Sequence, residues 1–229
     1  MEIISRVRSA DGSIHPRHTF QALADLRRHE FIEYLQAILN KDAALDSVAN
    51  RSSVHANGFT KLVLERSPEI ALRLHVWEPC RRKNEEEQIE NIHDHVWPFM
   101  SRVLLGGLGE ERFGVSRHGP LMDHYRYVRG RATLPPGALV FHEQVRLETL
   151  DHLSHLAGTV YEVDNTVLHR ARNFDIDTHT VTLVLTGVPR RTPASVYTRA
   201  GLSIREDVQN ARVSTDSVRQ LIGWILEAL

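Results

Sequence analysis

The 229-residue chain has a single cysteine, Cys80, so it forms no internal disulfide and carries no cluster of thiolate metal ligands. Lys and Arg total 28 against 29 for Asp and Glu, which leaves no charge excess to attract a phosphate backbone or an anionic membrane. No stretch approaches the roughly 20 apolar residues that cross a bilayer, and the first residues lack a signal-peptide core. These absences predict a soluble, cytoplasmic protein that binds neither nucleic acid nor membranes.

Length and a hydrophobic content of 41% fit one core of ordinary size with a small helical annex. Apolar residues recur at helical intervals over 20–39, and Thr19 is placed to cap this helix. Turn-forming residues over 50–57 end the helical part. A second helix, capped by Ser214 or Thr215, has an apolar stripe that runs to the end of the chain. That stripe serves either a homodimer contact or packing within the chain.

Between these helical parts, short runs rich in Val, Leu and aromatic residues are bounded by Gly, Pro, Asn or Asp, which is typical of β-strands. In one run Leu72 and Leu74 point one way while Arg73 and His75 point the other, as in a half-buried antiparallel strand. The predicted strands are Phe59–Leu64, Ile70–Trp77, Ser101–Leu105, Tyr125–Val128, Ala138–Phe141, Thr159–Val163 and His179–Leu185.

The sequence thus predicts a mainly β fold with three parts: an N-terminal helical cap over 1–57, a β core over 58–192 and a C-terminal extension with a closing helix over 193–229. The charged segment Pro79–Gln88 is predicted to be a solvated loop. The polar stretch 142–156, which includes His142 and Glu143, leaves a second metal site open. We favour a solvated loop or a helical excursion there, because no periodicity brings these groups together.

The chain is rich in histidine, with 14 residues of this type, and only their spacing selects among them. His93 and His95 are two apart, so in an extended strand both imidazoles project from the same face. Taken alone, such a pair is equally compatible with surface or core histidines. In a small antiparallel barrel a late strand can lie across from an early one, so His169 is a candidate third ligand. Three imidazoles leave coordination positions open, as in catalytic metal centres.

Three segments around these histidines carry a resemblance to a known family: 92–95 (IHDH), 102–108 (RVLLGGL) and 168–173 (LHRARN). They are similar to the cysteine dioxygenase family of the cupin superfamily, and the resemblance extends from Phe59 to about Pro189. It implies a double-stranded β-helix barrel, or jelly roll, with a mononuclear non-heme iron(II). On this sequence the resemblance assigns the metal to His93, His95 and His169.

Other positions depart from the family pattern. Lys61 stands where the family has the arginine that binds the substrate carboxylate, and a lysine cannot form the two parallel bonds of a guanidinium. Val184 and Thr186 occupy the places of a histidine and a tyrosine that the family keeps near the iron without binding it, and Met100 falls near the place of the crosslinking cysteine. We therefore expect a substrate other than cysteine.

Three functions follow. The first is an iron(II) oxygenase that uses dioxygen and a small thiol, amino acid or other carboxylate, with Lys61 fixing the acidic group. The second is an isomerase, lyase or hydrolase in which zinc, nickel or manganese acts as a Lewis acid. The third is a non-catalytic cupin that binds a small ligand.

Residues near the three histidines carry further expectations. His75 is expected to be a hydrogen-bonded core or rim residue, and Trp97 and Tyr161 to be core residues or to line a pocket. Arg102 is a candidate to meet an anionic substrate or a buried carboxylate. Arg170 is expected on the strand face opposite to His169.

Overall fold

A computed structural model describes residues 3–7, 16–55, 57–79, 91–128, 138–175, 177–190, 193–201 and 211–229. Nearly all of the predicted solvated loop Pro79–Gln88 lies outside the described residues. Among the helices that are described, none is long and apolar enough to cross a membrane.

Both ends of the chain are helical. A 3₁₀ helix and four α-helices are described: Ile4–Val7, α1 (Pro16–Ala24), α2 (Arg28–Leu39), α3 (Asp42–Arg51) and α4 (Thr215–Ala228). The prediction of one helix capped by Thr19 is wrong, because Thr19 lies inside α1 and the helix is interrupted between α1 and α2. At this break Glu30 accepts the backbone N–H of Arg27 (3.0 Å), which stabilises the start of α2. The cap of α4 is confirmed, since Ser214 Oγ accepts from the backbone N–H of Ser217 (3.1 Å).

Twelve strands are described between these helices. They are β1 (Ser53–Val54), β2 (Thr60–Arg66), β3 (Ala71–Trp77), β4 (Ile92–His93), β5 (Phe99–Leu105), β6 (Gly107–Val115), β7 (Leu121–Val128), β8 (Ala138–Leu156), β9 (Val160–Val163), β10 (Leu168–Asn173), β11 (Thr180–Thr186) and β12 (Ala194–Arg199).

The strands form two antiparallel sheets. One has the order β1-β2-β3-β11-β5-β9, and in the other β10-β4-β12-β7-β8-β6 closes on itself. Four strands of the first sheet lie in the order β3-β11-β5-β9, and four of the second lie in the order β4-β10-β6-β8. The chain passes repeatedly from one of these sets to the other, which is the connection pattern of a jelly roll. The predicted mainly β fold with terminal helices is confirmed.

The polar stretch 142–156 is not a loop or a helix, as predicted, but most of the 19-residue strand β8. Its first half pairs with β7 and its second half with β6. Most of its side chains are exposed, so it shows no alternation of apolar and polar residues that would reveal a strand. Farther along, β12 lies within the predicted C-terminal extension and pairs with β4 and β7.

The main hydrophobic core lies between the helices and the outer face of the first sheet. Strand residues such as Leu62, Leu72 and Leu74 pack there with Leu35 of α2 and Ile222 of α4. The apolar face of α4 is therefore packed within the chain. Neighbouring residues of a strand point to opposite faces. The residues next to these leucines on β2 and β3 therefore point to the inside of the jelly roll.

Candidate metal centre

Three histidines predicted from the sequence meet inside the jelly roll. His93 on β4 is the direct cross-strand partner of His169 on β10, and His95 follows two residues after His93. Nε2 of His95 lies 2.9 Å from Nε2 of His169. One ring nitrogen from each of the three histidines lies within 4.8 Å of those of the other two. The arrangement can accommodate one metal ion with three nitrogen donors.

The burial of these histidines favours the neutral, metal-binding form of the imidazole. Burial, with a smaller contribution from nearby His169, lowers the pKa of His93 to about 4. Burial and the neighbouring His93 and His169 lower the pKa of His95 well below its ordinary value. Both rings are therefore neutral at pH 7, with a lone pair available for a metal.

The second nitrogen of His93 is held by the backbone, and that of His169 faces a carboxylate. Nδ1 of His93 donates to the backbone oxygen of Asn91 (2.8 Å), and Nδ1 of His169 lies 3.3 Å from Oε1 of Glu110. Contacts of this kind orient metal-binding imidazoles and leave Nε2 free to bind. The three donors and their supports therefore fit a divalent transition metal.

Glu110 on β6 was not predicted as part of the site. Its side chain is 2% exposed, and it accepts hydrogen bonds from Nε2 of His155 (2.7 Å) and Nε of Arg112 (3.0 Å). Burial raises the pKa of Glu110, but the hydrogen bonds from His155 and Arg112 and the nearby His169 outweigh it and hold the pKa far below its usual range. Glu110 is therefore a buried carboxylate anion directly behind His169.

Aromatic rings cover one side of the three histidines. Trp97 stacks on His95, with ring centroids 4.8 Å apart and an interplanar angle of 19°, and Phe99 meets the same ring edge-on at 5.0 Å. The guanidinium carbon of Arg73 lies 4.8 Å from the centroid of Trp97. The ring of Trp97 thus lies between the positive charge of Arg73 and the imidazole of His95.

The inner face of the first sheet is unusually polar. Lys61 pairs with His75 across β2 and β3, and Arg73 precedes His75 by two residues on the same face. Burial, together with the nearby Arg73 and Arg66, lowers the pKa of Lys61 to about 8. Ser101 and Thr182 face the same interior, and their hydroxyls have no hydrogen-bond partner among the described residues. These cationic and unpartnered polar groups suit the binding of a polar, anionic ligand better than the packing of an apolar core.

The structure places the other residues singled out from the sequence as follows. Arg102 donates to the backbone oxygens of Leu23 (3.0 Å) and Leu26 (2.5 Å) at the end of α1, and it forms no ion pair with a carboxylate among the described residues. Arg170 pairs with Glu111 on the face opposite to His169, as expected.

His75 stacks on Phe59 at 4.5 Å, but its Nε2 has no hydrogen-bond partner among the described residues, which differs from the expected hydrogen-bonded residue. Tyr161 stacks on His155 at 3.7 Å. Thr186, at the position that the sequence resemblance aligns with a tyrosine, accepts the backbone N–H of Ala71 (2.9 Å) and has a structural role.

No family model and no curated protein matches this chain. Several solved structures are distantly similar. Hydroxypropylphosphonic acid epoxidase from S. wedmorenis is 12% identical over 61% of this chain and 56% of its own (TM-score 0.36). Drosophila melanogaster CENP-C bound to CAL1 is 14% identical over 70% and 98% (TM-score 0.39). A cupin superfamily protein from Desulfitobacterium hafniense is 8% identical over 62% and 87% (TM-score 0.30). At such TM-scores these likenesses carry no weight for function, and this chain spans little more than half of the epoxidase.

Proposed function

We propose that this protein is a mononuclear non-heme iron(II) oxygenase of the cysteine dioxygenase-like cupin type. It acts on dioxygen and a small anionic molecule, a thiol, an amino acid or another carboxylate, rather than on cysteine. The observation that carries the proposal is the convergence of His93, His95 and His169, with Nε2 of His95 2.9 Å from Nε2 of His169. His93, His95 and His169 would hold the metal.

Three neutral imidazoles suit iron(II) as well as zinc(II), and the resemblance to the cysteine dioxygenase family is what favours iron. Three neutral imidazoles leave the ion its full positive charge and leave positions for both substrate and dioxygen, which bound iron(II) activates for oxidation. The chain's own part is to hold these rings in place: Asn91 fixes Nδ1 of His93, and the Glu110 carboxylate faces Nδ1 of His169.

The substrate's anionic group is bound by Lys61 and Arg73. Lys61 offers a compact ammonium, and Arg73, on the neighbouring strand, supplies the planar guanidinium that Lys61 lacks. Arg73 also lies over Trp97, which stacks on His95, so an anion held by Arg73 is close to the three histidines. Trp97 and Phe99 exclude water from this side of the site.

The test is anaerobic reconstitution of metal-depleted protein with iron(II), followed by measurement of dioxygen consumption with a panel of small thiols, amino acids and other carboxylates. We expect uptake of about one dioxygen per product molecule, with iron only, and a loss of at least about 100-fold in His169→Ala, which removes one donor. Matched samples with zinc, nickel or manganese serve as controls.

Other outcomes contradict the proposal and identify its rivals. Turnover with zinc, nickel or manganese and without dioxygen uptake would establish an isomerase, lyase or hydrolase. Failure to bind any of these metals through the three histidines would favour a non-catalytic cupin that binds a small ligand.

A further inference from the structure

A second group of histidines lies on β7 and β8, away from the three histidines described above. His124 is the cross-strand partner of Tyr197, and Tyr197 is the partner of Ile92, whereas the next row of the same sheet contains Tyr125, Val196 and His93. Neighbouring rows point to opposite faces of a sheet. His124 therefore projects from the face opposite to His93.

A β-bulge brings two potential ligands on β8 next to His124. His124 pairs with Glu143 and Tyr125 pairs with Phe141, so His142 is an extra residue in the ladder. In a regular strand His142 and Glu143 would point to opposite faces, but a bulge places two residues opposite one and re-aims a side chain. Here His142 and Glu143 both reach His124.

The distances in this group are close to those of a metal site. Nδ1 of His124 and Nε2 of His142 each lie 3.6 Å from Oε1 of Glu143, and the three donor atoms all lie within 4.8 Å of one another. Metal–ligand distances of 2.0–2.2 Å in a tetrahedral site separate the donor atoms by about 3.4 Å. The two histidine–glutamate distances thus lie within a few tenths of an ångström of this value, and His142 and Glu143 are exposed side chains that can adjust to close the site.

The burial of His124 gives an independent reason to expect a ligand. The residue is 6% exposed and stacks on Tyr197 at 4.4 Å, and neither ring nitrogen has a hydrogen-bond partner among the described residues. A buried polar atom without a partner is costly. Burial also lowers the pKa of His124, which keeps the ring in the neutral form that a metal requires.

We propose that His124, His142 and Glu143 form a second metal site, for zinc or a similar divalent transition metal, separate from the three-histidine centre. Two imidazoles and one carboxylate are a common donor set for zinc. The metal joins β7 to the bulge of β8 and so stabilises this strand pair. Arg126 competes for the site, because its guanidinium lies 2.6 Å from Nε2 of His142, and it moves aside when the metal binds.

The experiment is a titration of metal-depleted full-length protein with zinc by calorimetry, and with cobalt(II) by its visible absorption. The wild-type protein should bind two equivalents. His142→Ala and Glu143→Gln should each bind one equivalent tightly and weaken the second by at least about tenfold. Both side chains are exposed, so the variants should fold as the wild type does.

Three further variants test whether the second equivalent binds between β7 and β8. His152→Ala replaces another exposed histidine of β8 and should leave both affinities unchanged. Arg126→Ala should strengthen zinc binding, since it removes the competing cation. His169→Ala should lose the three-histidine site but keep the second, with a melting temperature that rises on zinc addition.

The proposal is overturned if His142→Ala and Glu143→Gln retain the wild-type stoichiometry and affinities. It is overturned equally if the wild type binds a single equivalent that disappears in His169→Ala. Neither result bears on the proposed oxygenase activity, which depends on the other centre.

Discussion

Glu110 supports the geometry of the three-histidine centre from behind His169, without reaching the donor nitrogens. It holds His155 and Arg112 and faces Nδ1 of His169, so its charge both orients the ring and raises the basicity of Nε2. Its neighbour Glu111 points to the opposite face and pairs with Arg170. Two adjacent glutamates thus have entirely different roles.

We expect Glu110→Gln to weaken iron(II) binding by about 10- to 100-fold, because the neutral amide no longer stabilises the imidazole of His169. Iron affinity, measured by anaerobic competition with a chelator, checks this. Glu111→Gln is the matched control and should change the affinity less than about threefold. Equal losses in the two variants would assign Glu110 a merely structural role.

The lowered pKa of Lys61 makes the free energy of unfolding depend on pH. Its pKa in the folded protein is about 8, below the 10.5 of an ordinary lysine. Between these values the unfolded chain binds more protons, so the free energy of unfolding should rise with pH from about 8 to 10.5. Below pH 8 Lys61 is charged in the folded protein, and its burial then lowers the free energy of unfolding by the full amount.

Urea unfolding at a series of pH values checks this prediction. Lys61→Met should flatten the rise in the free energy of unfolding over the window, whereas Lys41→Met, which replaces an exposed lysine of the N-terminal helical part, should preserve it. The prediction is wrong if Lys61→Met and the wild type share the same pH profile.

The sequence reveals some of these side chains and not others, for a physical reason. His93 and His95 are two residues apart, and strand periodicity alone aligns them. Arg73 and His75 are visible as the polar half of an alternating strand, but nothing local indicates that this half faces the interior rather than solvent. Glu110 meets His169 only through the pairing of β6 with β10, which no local pattern encodes.

Among the strands, the corner between β5 and β6 has a strict local requirement for glycine. Gly106 has a φ of +70°, and a Cβ there would lie 2.4 Å from the backbone oxygen of His179. Both the backbone conformation and the contact demand glycine. This corner carries the chain from one sheet to the other and so sets the position of Glu110 on β6.

We expect Gly106→Ala to destabilise the protein by more than 2 kcal/mol, roughly, since the contact is with rigid backbone. Gly158→Ala is the matched control, because φ is +92° there but no atom of the described residues lies within 4 Å of the added Cβ. It should cost about 1 kcal/mol, from conformation alone. Chemical denaturation measures both, and equal losses would rule out the steric account of this corner.

The strands with alternating or apolar patterns were predictable, and the others were not. Ile70–Trp77 was predicted almost to its bounds and is β3, which is apolar toward the helices. β6 contains three glycines and two glutamates, which have low strand propensity, and gave no signal. β8 is exposed over most of its length, so a polar strand resembled a loop.

In the molecule as a whole, helices from both ends of the chain share one hydrophobic core with the first sheet. α2, α3 and α4 cover its outer face, and Ile222 of α4 is fully buried among them. The burial of apolar surface that stabilises the fold therefore occurs on the outer face of the sheet, and the inner face can carry polar residues. The helices thereby permit the cationic interior of the candidate site.

We expect Ile222→Ala to lower the free energy of unfolding by about 2–5 kcal/mol while the chain still unfolds in a single transition. Circular dichroism should report the helices, and the fluorescence of Trp77, Trp97 and Trp224 the sheet and α4. Glu227→Ala, at an exposed position of the same helix, is the control. Separate transitions for the two signals would show that the helices and the jelly roll are independent.

The central claim, that three histidines from distant parts of the chain bind one iron, is tested most directly by iron K-edge X-ray absorption of protein reconstituted with one equivalent of iron(II). The account predicts three imidazole nitrogens at about 2.0–2.2 Å in the wild type and no comparable centre in His169→Ala. An identical spectrum in His169→Ala, or iron bound only by solvent and carboxylate oxygens, would contradict it.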